Sequence, residues 1–106
     1  DAVVGELGWC HVPNEGARSA RYGAALKSQG LKRGVPDVLI FVPPPAAPTA
    51  RGVAIELKRG DGSGRLSEHQ RAWLDSLTAC GWVARPCHGA DEAIEFLTAW
   101  CGYGRQ

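Results

Sequence analysis

A chain of 106 residues has room for one hydrophobic core and one site, so it is read as a single domain over 1–106. Its 44% hydrophobic and 22% charged residues match an ordinary soluble globular protein, and no apolar run approaches the ~20 residues that span a bilayer, so no membrane partner is expected. The net charge of +1 conceals an asymmetry: Arg18, Arg21, Lys27, Lys32 and Arg33 lie between Gly16 and Pro36 with no acid among them, whereas Asp91, Glu92 and Glu95 cluster near the C-terminus.

There is no initiator Met and no signal-peptide pattern, which predicts a native N-terminus upstream of Asp1. Leu7 to Val12 reads as a short strand or extended arm, and Pro13-Asn14-Glu15-Gly16 as a turn. A helix over Ala17 to Gln29 then places Tyr22, Ala25, Leu26 and Gln29 on one side and Arg18, Arg21 and Lys27 on the other, with Gly30 as its stop. Such a patch suits a polyphosphate, because each neutralised phosphate releases counterions; a merely solvated face is the equal alternative on charge alone. The loop Gly30 to Pro36 follows, and Gly34 in it permits close approach of backbone to a ligand.

Asp37 opens Val38-Leu39-Ile40-Phe41-Val42, an unbroken run that predicts a strand buried on both faces. Pro43 to Gly52, rich in Pro and Ala, predicts a solvated hairpin connection. In the next strand Val53, Ile55 and Leu57 alternate with Ala54, Glu56 and Lys58, the pattern of a half-buried strand, so Glu56 and Lys58 project from one face about 7 Å apart. If the two strands pair, Asp37 and Glu56 converge. A hard octahedral cation such as Mg²⁺ wants one or two carboxylates with water and phosphate completing its shell, and a lysine beside it can offset charge growing on a phosphoryl group. Alone, an E-x-K is more often two solvated charges, and an Asp after Pro a turn residue.

Arg59 to Arg65 lacks the G-x-x-x-x-G-K-[ST] order, which argues against a nucleotide cofactor and leaves a flexible basic loop beside the site. Ser67 opens a helix with the apolar stripe Trp73, Leu74, Leu77 and Cys80, stopped by Gly81. Gln70 stands three residues after Ser67, so it either completes a capping box or reaches into the site. Trp82 to Arg85 is a short strand candidate, and Asp91 starts a last helix with Ala93, Ile94, Leu97, Trp100 and Cys101 on its apolar face. Cys10, Cys80, Cys87 and Cys101 have no C-x-x-C spacing; buried reduced thiols in a cytoplasmic protein are expected rather than structural zinc. The order of elements implies a mixed sheet covered by helices.

These residues, taken as a set, resemble the VRR-NUC family (virus-type replication-repair nucleases) of the PD-(D/E)XK superfamily. The resemblance rests on His11-Val12-Pro13-Asn14-Glu15-Gly16 with Arg18, on Gly30 to Asp37, on Ile55-Glu56-Leu57-Lys58-Arg59, and on Leu66-Ser67 with Gln70 and Trp73. It implies an α/β, restriction-endonuclease-like mixed sheet flanked by helices. It implies Mg²⁺ or Mn²⁺ held by Asp37, Glu56 and the main-chain carbonyl of Leu57, with Lys58 as catalytic lysine and Gln70 approaching the site. The family pattern includes a further acid from an N-terminal helix, which is not evident here; Glu15, otherwise a turn residue, is the candidate. Small members look like phage or prophage proteins that cut branched DNA as homodimers.

The expected activity is therefore a metal-dependent, structure-selective DNA endonuclease of a bacterial or phage-infected cell, acting in replication or repair. Asn14, Arg18, Arg21, Lys27, Lys32, Arg33, Arg59 and Arg65 are the candidate DNA contacts. Nothing in the chain identifies a base-reading element. The alternative is a junction-binding protein of the same fold without efficient catalysis, and action on RNA stays open because metal and lysine do not inspect the 2′-OH. Trp9, Trp100 and Tyr103 are candidates for a dimer interface, with Trp100 in the monomer core as the plainer reading.

Overall fold

The computed structural model describes residues 8–12 and 34–104. The predicted basic helix over Ala17 to Gln29, and with it Asn14, Glu15, Arg18, Arg21, Lys27, Lys32 and Arg33, lies outside the described residues. Four strands form one sheet in spatial order β1 (Trp9–His11), β2 (Val38–Ile40), β3 (Val53–Lys58) and β4 (Val83–His88). β1 and β3 both run antiparallel to β2, while β4 lies parallel to β3, so the sheet is mixed, as expected. The parallel pair is joined by helix α1 (Glu68–Ala79) as crossover, the connection that parallel strands require. After β4 come α2 (Ala90–Glu95) and a π-helical turn (Phe96–Trp100).

Β3 is the structural centre, and it differs from the half-buried strand predicted. Val53, Ala54, Ile55 and Glu56 are all buried, because β3 has strands on both sides and helices packed against it, whereas Leu57, expected in the core, is 39% exposed at the strand's end. Val53 and Ile55 face a core made with Ile40, Cys87, Ala93, Phe96, Cys101 and Tyr103. By alternation Ala54, Glu56 and Lys58 project from the opposite face. The preceding strand is shorter than predicted: β2 ends at Ile40, and Phe41 and Val42 are exposed, Phe41 meeting Trp82 edge to face at 5.9 Å.

The connection from β2 to β3 is anchored rather than solvated throughout. Pro44 is fully buried, Ala46 N–H donates to the carbonyl of Cys101 at 2.9 Å, and Tyr103 Oη donates to the carbonyl of Val42. Β4 starts one residue later than predicted and runs on through Pro86 to His88, paired with Lys58. In α1 only Leu74 of the predicted stripe is fully buried, and Cys80 is an exposed C-cap. Cys10 is exposed as well, so the expectation of buried thiols holds only for Cys87 and Cys101; all four are free.

The last helix begins at Ala90, not Asp91, and its inward face is Ala93, Phe96 and Cys101. The predicted α-helical face fails here because Cys101 N–H bonds to the carbonyl of Phe96, five residues back, at 3.0 Å. That π spacing turns Trp100 outward, to 72% exposure. Ile94, on the regular helix before it, is 52% exposed. Tyr103, an expected interface residue, is buried, and Trp9 packs against the core.

Candidate active site at the end of the central strand

The antiparallel register of β2 and β3 pairs Val38 with Ile55, so the next step outward sets Asp37 opposite Glu56. Here regular pairing stops, because the following position on the β2 side is Pro36. The N–H of Leu57 is taken instead by the Asp37 side chain, whose Oδ2 accepts it at 2.8 Å. The main chain of Asp37 remains in the sheet, its carbonyl accepting from Val12 N–H at 2.7 Å. N–H and C=O of one strand residue point the same way, so the carbonyl of Leu57 faces the edge where Asp37 lies. Pro36 and Asp37 are both buried; the Pro-Asp pair is a wedge under β3, not a surface turn.

Asp37 and Glu56 are 8% and 5% exposed, two carboxyl groups withdrawn from water side by side. Burial, then a hydrogen bond and the charge of Asp37, push the Glu56 carboxyl up to about 8, against a partial opposing pull from Lys58. Among the described residues no group of three or more His, Cys, Asp or Glu side chains converges as a metal cage would require. The donor set at this edge is two carboxylates and a main-chain carbonyl. That set fits a hard divalent cation with water and substrate oxygens in the rest of its shell, and a cation there would offset the burial and the neighbouring Asp37 charge that raise Glu56.

Lys58, on the same face of β3 as Glu56, donates from Nζ to Oε1 of Gln70 at 2.7 Å. The same oxygen accepts the backbone N–H of Ser67 at 2.9 Å, while Ser67 Oγ accepts the N–H of Gln70 at 3.1 Å. The two roles weighed for Gln70 are thus held by one atom: it closes the capping box of α1 and fixes the lysine ammonium. Gly34 makes this possible in a way the sequence reading missed. At φ +86°, a Cβ there would lie 2.6 Å from the backbone carbon of His69 and 2.8 Å from the nitrogen of Gln70, so the backbone it brings close is the start of α1.

The loop after Lys58 carries hydrogen bonds of its own. Gly62 N–H bonds to the carbonyl of Arg59 at 3.2 Å, and Asp61 Oδ1 accepts both the N–H and the hydroxyl of Ser63, at 2.9 and 2.7 Å. Those bonds hold the Asp61 carboxyl below its ordinary range. Arg59 and Arg65 are exposed at its two ends. Gly64 lies on the lysine stem, where a Cβ would sit 3.2 Å from Cβ and Cδ of Lys58, and its carbonyl is 3.3 Å from Nε2 of His88. In the sequence His88 stands out only through the pair Cys87-His88, which alternation sets aside as a metal site; only the parallel register brings it beside Lys58.

The family model of the VRR-NUC domain matches residues 7–91. A solved structure described as "VRR_NUC domain protein" aligns with a TM-score of 0.70 at 25% identity, over 92% of this chain and 70% of that one. No curated protein matches.

Proposed function

Because the chain belongs to the VRR-NUC family, with a restriction-endonuclease-like mixed sheet, we propose that it is a divalent-metal-dependent DNA endonuclease that hydrolyses phosphodiester bonds at the end of β3. The observation that carries this reading is the buried pair Asp37 and Glu56 beside a lysine whose ammonium is held by Gln70. Asp37 and Glu56, with the carbonyl of Leu57, would hold Mg²⁺ or Mn²⁺. When bound, the ion would polarise the scissile phosphate and lower the pKa of an attacking water.

The chain's own groups account for the rest of the chemistry. Asp37 keeps one carboxylate oxygen on the N–H of Leu57, which locks its orientation and leaves the other oxygen for the ligand role. Lys58, restrained by the cap of α1, presents a fixed positive charge to the phosphoryl oxygens as negative charge builds there, and such preorganised charge contributes most in a water-poor site. Arg59 and Arg65, exposed on the adjoining loop, together with Asn14, Arg18, Arg21, Lys27, Lys32 and Arg33, would grip the phosphate backbone without reading bases.

Each chain supplies one such site. Paired cuts across a branched substrate such as a four-way junction therefore need two copies related by a two-fold axis, and a homodimer is part of the proposal. Trp100, fully turned to the surface, is the interface candidate that the fold leaves available. The test is to incubate purified protein with labelled linear, flapped and four-way DNA in Mg²⁺ or Mn²⁺, then with EDTA. Metal-dependent cutting that favours branched DNA is expected; binding with no cutting in either metal would replace the nuclease by a junction-binding protein of the same fold.

A further inference from the structure

We propose that His88 is a positioning residue for Lys58, acting through the loop Gly60 to Gly64 as a strap over the lysine stem; this rests on the nuclease reading for its effect on cleavage, but not for its effect on the lysine. Four observations place the strap. Its base is fixed where Gly60 meets Gly89: a Cβ on Gly89 would stand 3.0 Å from the Gly60 Cα, and Gly89 N–H bonds to the carbonyl of Lys58 at 2.9 Å. Its shape is set internally by the Arg59–Gly62 turn and by Asp61 accepting from Ser63. Its far end covers the stem of Lys58 at Gly64, which has no side chain to hold it off. Its latch is the carbonyl of Gly64 against His88 Nε2 at 3.3 Å.

The latch fixes which ring nitrogen carries a hydrogen. A carbonyl oxygen only accepts, so Nε2 must carry the hydrogen. His88 is itself held from the other side: its backbone N–H donates to Glu92 Oε2, and its Nδ1 lies 3.7 Å from the same oxygen. Β4 and α2 thus aim one ring nitrogen at the strap, the strap confines the methylene stem of Lys58, and Gln70 receives the ammonium. Two restraints at opposite ends of a long, rotamer-rich side chain remove the freedom that a lysine on a strand end would otherwise have.

The test compares His88→Leu, which keeps bulk and loses the donor, with His88→Gln, which retains an N–H of similar reach. Single-turnover cleavage at saturating four-way DNA in Mn²⁺ is expected to fall roughly 10- to 100-fold in His88→Leu, with DNA affinity and melting temperature unchanged, and to recover in His88→Gln. In parallel, reductive methylation of Lys58 is followed by peptide mass spectrometry, with Lys27 and Lys32 as internal references; severalfold faster labelling is expected in His88→Leu alone. Unchanged Lys58 labelling overturns the strap, as does a rate loss that tracks a lowered melting temperature and is not rescued by Gln. If the wild type does not cleave any DNA, the nuclease reading fails, while the labelling still decides whether His88 positions the lysine.

Discussion

The two halves of β3 contrast sharply. Over Val53 to Ile55 the strand is satisfied by backbone pairing on both edges and by apolar packing, with side chains between 0% and 1% exposed. Beyond Glu56 the β2 ladder ends, and a side chain takes over its duty: Asp37 bonds the Leu57 amide, while the Lys58 ammonium is received by Gln70. The lesson is that the candidate site is the place where the sheet stops repeating. A backbone N–H that the ladder would normally consume passes there to the Asp37 carboxylate.

This contrast can be broken from either half. Ile55→Ala should cost about 2–5 kcal/mol of folding stability, measured by urea unfolding, while the cleavage rate per folded molecule is kept. Lys58→Ala should do the reverse, lowering the cleavage rate by about 10²–10³-fold with little change in melting temperature. Asp37→Asn and Glu56→Gln should weaken Mn²⁺ binding in calorimetry, since each removes an anionic ligand while preserving shape. If Lys58→Ala unfolds the protein, or Ile55→Ala abolishes cleavage by folded molecules, the two halves are not separable.

A finer test uses pH. Glu56 has its pKa at about 8 in the metal-free fold, against a usual 4.5, so between these values the folded chain keeps a proton that the unfolded chain has lost. The stabilisation from that protonated group is complete below about pH 4.5 and is lost as pH rises through about 8. Melting temperature in EDTA should therefore decline across this window. Glu56→Gln should remove that part of the slope, and a melting curve with the same pH dependence in the variant would assign the effect to another group. Binding of Mn²⁺ to the wild type should release a proton near neutral pH, seen as buffer-dependent heat.

The smallest expected effect separates the two bonds made by Gln70. Gln70→Ala should cost about 1 kcal/mol through the lost cap and should also free Lys58. Gln70→Glu keeps acceptor oxygens for both Ser67 N–H and the ammonium, so stability and cleavage should both stay near wild type. A stable but inactive Gln70→Glu would show instead that the amide N–H acts directly on substrate.

How far the sequence could be read follows from the range of each signal. The mixed sheet, the Ser67 cap and the Gly81 stop are legible because they depend on local propensity or on period-two alternation, whereas the register that sets Asp37 opposite Glu56 comes from pairing between strands, on which the sequence leaves their convergence conditional. Burial was misjudged wherever it depends on neighbours distant in the chain. Phe41 and Val42 look like core by composition but lie past the end of β2, and Pro44 looks like loop but is clamped by the segment around Cys101 and Tyr103. The π turn has no periodic signature of its own, so Trp100 and Cys101 were placed on one face and fall on different ones. Gln70 presents two competing roles in the sequence because nothing in a linear pattern says that one oxygen can serve two donors.

The π turn also bears on how this domain can vary in length. Surface segments usually accept an inserted or deleted residue, and Ala99 and Trp100 are exposed. Removing one residue between Phe96 and Trp100 would turn the Cys101-to-Phe96 bond into an ordinary i→i−4 bond and leave Cys101 and Tyr103 in place, whereas removing Gly102 would pull the phenol from the carbonyl of Val42 or the Cys101 carbonyl from Ala46. Those two bonds hold the segment that joins the strand before the site to the strand bearing it. Homologous chains should therefore accept the loss of one residue within this exposed turn, with the helix becoming regular, far more readily than a change of length between Cys101 and Tyr103.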